Sequence, residues 1–301
     1  MTGTAGRVMA LTGLAVGLAL MALWLSGGLG GIERWAAAQQ REVQNLMAGA
    51  LTRLRAAEPG ALWSLMGLCF AYGFVHAAGP GHGKLVIGGY GYGSQVPLGR
   101  LMGLSVAASL AQAGVAVLVV WGGIAVLDLT REQLTTLGER HMDQLGTALI
   151  GLVGLWLAWR GLKMLRPAPA AHHHHHHHHD ESCGCGHAHG PSPAQVAETR
   201  SLRDALLLIA GIAARPCTGA LFLLILTWRM DIFAAGVAGT FAMGVGTASV
   251  TLVVAALSVW ARRGSMALAS AQGSALTRIL PGAMQLGAGL LIALVCAAML
   301  I

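Results

Sequence analysis

The chain has 301 residues, of which 55% are hydrophobic and only 10% charged, and its mean hydropathy is +0.65. So apolar a composition excludes a soluble globular domain and requires lipid as the main solvent. The formal charge of +7 and the pI near 9.7 would suit a nucleic-acid binder, but the basic residues sort to one face of a membrane, so no nucleic-acid partner is expected.

Seven apolar runs approach the ~20 residues that a helix needs to cross a ~30 Å hydrocarbon core. They cover 8–31, 61–78, 101–127, 145–165, 204–228, 232–261 and 279–301, which predicts an all-α polytopic membrane protein. The first run follows Arg7 and no clean A-x-A site closes it, so it reads as an uncleaved span rather than a secretory signal. Segment 32–60 follows. Within it Val43, Leu46, Met47, Ala50, Leu51 and Leu54 recur at three- and four-residue spacing, with Arg41, Gln44, Arg53 and Arg55 between them. This is an amphipathic helix, expected to lie along the extracytoplasmic interface or to cap the bundle before Pro59-Gly60 ends it.

The remaining spans form two halves, 61–165 and 204–301, separated by a loop at 166–203. Each half opens with a helix interrupted by a proline motif: AAGPGHGK at 77–84 and AARPCTGA at 213–220. Three spans separate the motifs, so the halves run in opposite senses, the inverted repeat of many transporters. A cytoplasmic N-terminus puts Arg7, Lys84, Arg100, Arg160, Lys163, Arg166, Arg200, Arg203, Arg262, Arg263 and Arg278 on the inner side. Only Asp180, Glu181, Glu198 and Asp204 oppose them there, which satisfies the positive-inside rule and leaves the C-terminus outside the inner membrane.

The second span runs into GFVHAAGPGHGK at 73–84. His76 and His82 would point about 240° apart on an unbroken helix. The Gly79-Pro80-Gly81 break lifts that objection, because Pro80 cannot donate to the ladder and the freed carbonyls can line a cavity. Polar groups are costly inside a bilayer, so both histidines are candidate metal ligands, with Lys84 just beyond them. In the fifth span Arg215 lies eleven residues after Asp204, or about 16 Å at the helical rise, close to the bilayer midplane. A cation there would repel a divalent ion. Arg215 is therefore assigned to tying down broken-helix carbonyls or to metal release, alongside Pro216, which deprives the Ile212 carbonyl of its usual partner, and Thr218. Cys217 is either a soft thiolate ligand or a small packing residue. Gln112 in the third span and Met243 and Thr247 in the sixth can face the same cavity, although their neighbours Gly114, Gly244 and Gly246 equally suit close packing.

The loop carries His172, His173, His174, His175, His176, His177, His178 and His179, followed by Cys183, Cys185, His187 and His189. Such a stretch builds no core, whereas neutral imidazole is a common ligand for transition metals, so the loop reads as a metal collector that needs no prior folding. The trailing CGCGHAH makes an inserted purification tag a poor account of the histidine run. The other cysteines, Cys69, Cys217 and Cys296, lie in spans and form no secreted disulfide framework.

Taken together, HAAGPGHGK at 76–84, RPCTGA at 215–220, FAMGVGTA at 241–248 and the histidine-rich loop resemble the NicO-type nickel/cobalt transporter family, particularly its efflux members. The resemblance runs from near Ala61 to the C-terminus. It implies a multi-span fold, divalent nickel or cobalt as cargo with no catalytic cofactor, and participation of His76 and His82. Some efflux members carry a histidine in the third span where this chain has Gln112, and uptake permeases carry an aspartate in their histidine motif, where no acid lies between His76 and His82. The expected function is export of nickel or cobalt fed by the loop. Uptake is the alternative, and a membrane thiol oxidoreductase using Cys69 and Cys217 is a remote one. No HExxH or GxxxxGK[ST] motif occurs, so neither proteolysis nor ATP use is expected. Proton exchange is the natural energy source, because imidazole must be deprotonated to hold metal.

Overall fold

A computed structural model describes residues 28–79, 82–127, 129–166, 205–272 and 274–300, and these residues form helices and no strand. The predicted first span falls outside them except for its last four residues. Pro80, the whole histidine-rich loop with its ligands His172 to His189, and the side chain of His82 also lie outside the described residues.

In chain order the helices are α1 (Gly28–Arg55), α2 (Ala61–Ala78), α3 (His82–Gly93), α4 (Leu98–Ala125) and α5 (Arg131–Thr136), the last passing through a π-helical turn (Leu137–Met142) into α6 (Asp143–Leu165). After the loop come α7 (Ala205–Ala213), α8 (Thr218–Arg229), α9 (Phe233–Gln272) and α10 (Ser274–Leu300). Among the described residues five helices, α2, α4, α6, α9 and α10, are long and apolar enough to cross a membrane. The pair α7 and α8, bent by 58° at their break, makes a sixth if it counts as one span. Helix α9 runs on to Gln272, past the predicted end at 261, because a helix does not stop where the apolar stretch does. Residues such as Arg262, Arg263 and Met266 remain good helix formers outside the bilayer.

Large apolar side chains cover the outside, among them Trp63 (80% exposed), Leu118 (67%) and Leu294 (67%). With apolar surfaces both inside and out, helix association rests on close packing of small residues rather than on hydrophobic contrast. The α6–α10 crossing shows this directly. A Cβ on Gly154 would stand 2.9 Å from the carbonyl oxygen of Gly289, and one on Gly161 would stand 2.8 Å from that of Gly282, so backbone meets backbone.

Helices α2 and α3 run in the same direction along α9. Gly239 faces Cys69, Met243 faces Gly73, Val254 faces Gly88 and Ser258 faces Gly91, so the contacts advance in step on both partners. The Gly79–Gly81 break therefore lies partway along a continuing path instead of ending it. The twelve residues of α3, HGKLVIGGYGYG, contain five glycines, and each glycine costs a helix about 1 kcal/mol relative to alanine. Packing overrides that preference. Gly89 and Gly93 leave room for Ile292 and for the Gln285 backbone of α10, so α3 can press against the long helices.

Helix α1 packs one face against α2. Ala36, Met47, Ala50 and Leu51 are fully buried, and the Cys69 thiol contacts the Met47 sulfur at 3.7 Å.

Candidate functional site

The two helix breaks meet at one cavity of about 550 Å³. His76, Ala77, Gly83 and Lys84 line it from the first break, and Arg215, Pro216, Cys217 and Thr218 from the second. Helix α4 adds Ser105, Ser109 and Gln112, while α9 adds Thr247 and Thr251. Residues 139 positions apart in the chain thus share a wall because α2 and α8 both end, in opposite senses, at this depth.

His76 occupies the last turn of α2. Its Nδ1 lies 3.1 Å from Gln40 Oε1 on α1, and its ring stacks over Tyr72 with centroids 6.0 Å apart and planes 11° apart. An amide oxygen can only accept, so Nδ1 carries the proton in this contact and Nε2 keeps its lone pair. Cys217 faces the imidazole across the gap between the breaks, and both residues line the cavity. Cys217 is the N-cap of α8: its carbonyl accepts from the Ala220 and Leu221 N–H groups, each at 3.0 Å, and its thiol stands at the helix N-terminus, where an anion is accommodated. The Tyr72 ring fits against the first turn of α8 because residue 219 is glycine; a Cβ there would collide with the ring. Gln44 donates to the Tyr72 hydroxyl at 3.3 Å, which adds a second tie from α1.

Side chains hold carbonyls at and near the breaks. Lys84 Nζ donates to the Ala77 carbonyl at the end of α2, where a cation also suits the helix dipole. Gln112 Nε2 donates to the Arg215 carbonyl at 2.6 Å, and Thr247 Oγ1 donates to that of Gly73 at 3.2 Å. Pro216 deprives the Ile212 carbonyl of its usual partner four residues on, and the turn brings the Arg215 N–H to it instead, at 3.4 Å. The guanidinium of Arg215 pairs with Asp143 at the start of α6. Met243 is 3% exposed at the α2–α9 crossing and belongs to the packed core, not to the cavity wall. Cys69 is likewise buried away from the cavity, so the two thiols considered for redox chemistry do not share its wall.

Among the described residues the lining contains two cations, Lys84 and Arg215, and no Asp or Glu. Among the described residues no group of three or more His, Cys, Asp and Glu side chains converges. The available donors are one imidazole, one thiol and several hydroxyls, a set that suits a borderline transition metal better than calcium or magnesium. Sequence reading missed Gln40, Gln44, Tyr72 and Asp143. The two glutamines sit four apart on one face of an amphipathic helix, which shows that the face is polar but not what it meets.

The model of the NicO family, described as a high-affinity nickel-transport protein, matches residues 62–169 and 160–301. The chain is also similar to a protein of Haemophilus influenzae (strain ATCC 51907 / DSM 11121 / KW20 / Rd) named for nickel/cobalt efflux, at 29% identity over 241 residues, which cover 75% of this chain and 74% of the relative. No solved structure matches the chain. The family match starts at residue 62, after α1.

Proposed function

Because the chain belongs to the NicO family of nickel-transport proteins, we propose that it exports divalent nickel or cobalt from the cytoplasm through the cavity between its two broken helices. The observation that carries this reading is the contact of His76 with Cys217 across the two breaks, a borderline nitrogen and a soft sulfur facing one polar space inside a bundle of apolar helices. The relative named for efflux supports the direction.

In this reading His76 Nε2 and Cys217 Sγ bind the ion, His82 joins them from the start of α3, and the Thr218 and Thr247 hydroxyls complete the shell or hold water. Gln40 keeps the proton on Nδ1, the usual way that a ligating imidazole is oriented. Lys84 and Arg215 are engaged by Ala77 and Asp143, yet their charge still opposes a divalent ion, so binding is weak enough to be followed by release. The thiol gives up a proton when metal binds and regains it on release, which couples metal to proton movement. The N-terminus lies in the cytoplasm, the halves 61–165 and 204–301 are inverted repeats, and the loop ligands between them gather metal on the inner side.

Cellular metal content tests the direction. Loss of the gene should raise nickel or cobalt in exposed cells, and a fall would show uptake instead. In proteoliposomes an opposing pH gradient should alter flux, and indifference to it would remove proton exchange from the mechanism. Deleting residues 172–189 should raise the half-saturating metal concentration several-fold and keep maximal flux; complete loss would refute the collector role. Gln40→Ala should weaken transport by roughly tenfold, the low end for losing an outer-shell partner, with partial rescue by Gln40→Glu, which restores an acceptor. Unchanged flux in Gln40→Ala would show that the Nδ1 contact plays no part.

A further inference from the structure

At the far end of α3 from the cavity, two hollows join. One, about 350 Å³, is lined by Arg262, Arg263, Gln95 and Tyr92, with no Asp or Glu in its wall among the described residues. The other, about 600 Å³, runs between α3 and α10 and is lined mainly by apolar residues such as Leu280, Leu291 and Ile292. Tyr92 and Met284 belong to both, so a basic pocket opens into an apolar groove.

The depth of the pocket matches a headgroup layer. Arg262 lies 29 residues after Phe233, the first residue of α9, or about 44 Å along the axis, close to the full width of a bilayer with its headgroups. A second helix marks the same level. Gly161 of α6 packs on Gly282 of α10, next to the pocket residue Pro281, and beside it the Arg160 guanidinium and the Lys163 ammonium lie over the Trp156 and Trp159 rings, at 5.6 and 3.6 Å. Tryptophan paired with basic residues is the signature of a membrane interface.

We propose that this joined hollow is a binding site for an anionic phospholipid, its phosphate at Arg262 and Arg263 and an acyl chain in the groove along α10. Charge and shape agree: two cations without an acid face the head, and an apolar trough of helix length receives the tail. The site bears on transport. Arg262 also donates to the carbonyls of Ser94 and Val96, just past the end of α3, whose other end carries Lys84 into the transport cavity. A lipid at the arginines holds the backbone that positions α3. Binding itself does not depend on what the cavity carries.

The full-length protein, purified and exchanged into zwitterionic phosphatidylcholine, is titrated with phosphatidylglycerol while its melting temperature and bound-lipid count are followed. Phosphatidylglycerol should stabilise the wild type and remain bound. Arg263→Gln, at an exposed position that leaves folding intact, should weaken that response roughly fivefold, the worth of one basic side chain toward an anionic headgroup. Arg262→Lys should weaken it as well, whereas Arg100→Gln, exposed at the start of α4 and absent from both linings, should not. Equal stabilisation by phosphatidylcholine, or an unchanged response in Arg263→Gln, would overturn the proposal. So would full stabilisation by inorganic phosphate, which would make this a free-anion site.

Discussion

His76→Ala is expected to abolish saturable nickel or cobalt flux at every metal concentration tested, alone and combined with His82→Ala. His76 is the one histidine among the described residues that lines the cavity, and it joins the two breaks through Cys217 and α1 through Gln40. Losing a mere outer-shell partner costs a metal site about 10- to 100-fold, so losing a ligand should exceed about a hundredfold and leave no measurable transport. Stability should change little, because the imidazole is half-buried against the 550 Å³ cavity and its removal leaves Gln40 and Tyr72 open to solvation. Flux in proteoliposomes paired with thermal melting of the same preparation separates the two effects. Saturable flux with an unaltered half-saturation point in His76→Ala would place the ion elsewhere.

Gly73→Ala is expected to destabilise the bundle and to silence transport with it. Gly73 lies one turn before His76, and a Cβ there would collide with the backbone carbonyl of Met243 on α9. No rotamer change relieves a clash with backbone, so α2 and α9 must separate. Overpacking of this kind costs about 1–3 kcal/mol even where side chains can adjust. The shift would also break the Thr247 bond to the Gly73 carbonyl and move His76 relative to Cys217. Gly67→Ala on the same helix provides the control, since nothing lies within 4 Å of its added methyl. That change should be neutral or stabilise by about 0.4–1 kcal/mol. A lower melting temperature for Gly73→Ala only would bear out the backbone-contact argument, and equal effects of both substitutions would defeat it.

Much of the fold was legible because membranes impose a simple rule: a helix must be apolar over its whole crossing, and runs such as 101–127 and 145–165 state that directly. The breaks were legible too, since Pro216 removes a donor wherever it occurs. Helix α3 was not, because its five glycines oppose helix formation locally and only contact with α9 and α10 reverses the balance. Met243 and Thr247 sit four apart on α9 and looked equivalent in sequence, yet one is packed against Gly73 and the other lines the cavity. A difference of about 40° around the helix separates them, and it matters only once α2 is in place.

The sequence by itself determined that the chain lives in lipid, that its helices break at two motifs, and that imidazole and thiol are its candidate metal donors, because solvation, backbone geometry and donor chemistry belong to the residues themselves. Tertiary structure alone decided that the two breaks share one cavity, that Gln40 reaches His76, and that Asp143 holds Arg215. These relations cross 36, 72 or 139 positions of chain. They depend on the depth and rotation at which helices pack, and in lipid that is set by close contacts between small residues rather than by any pattern within a single segment.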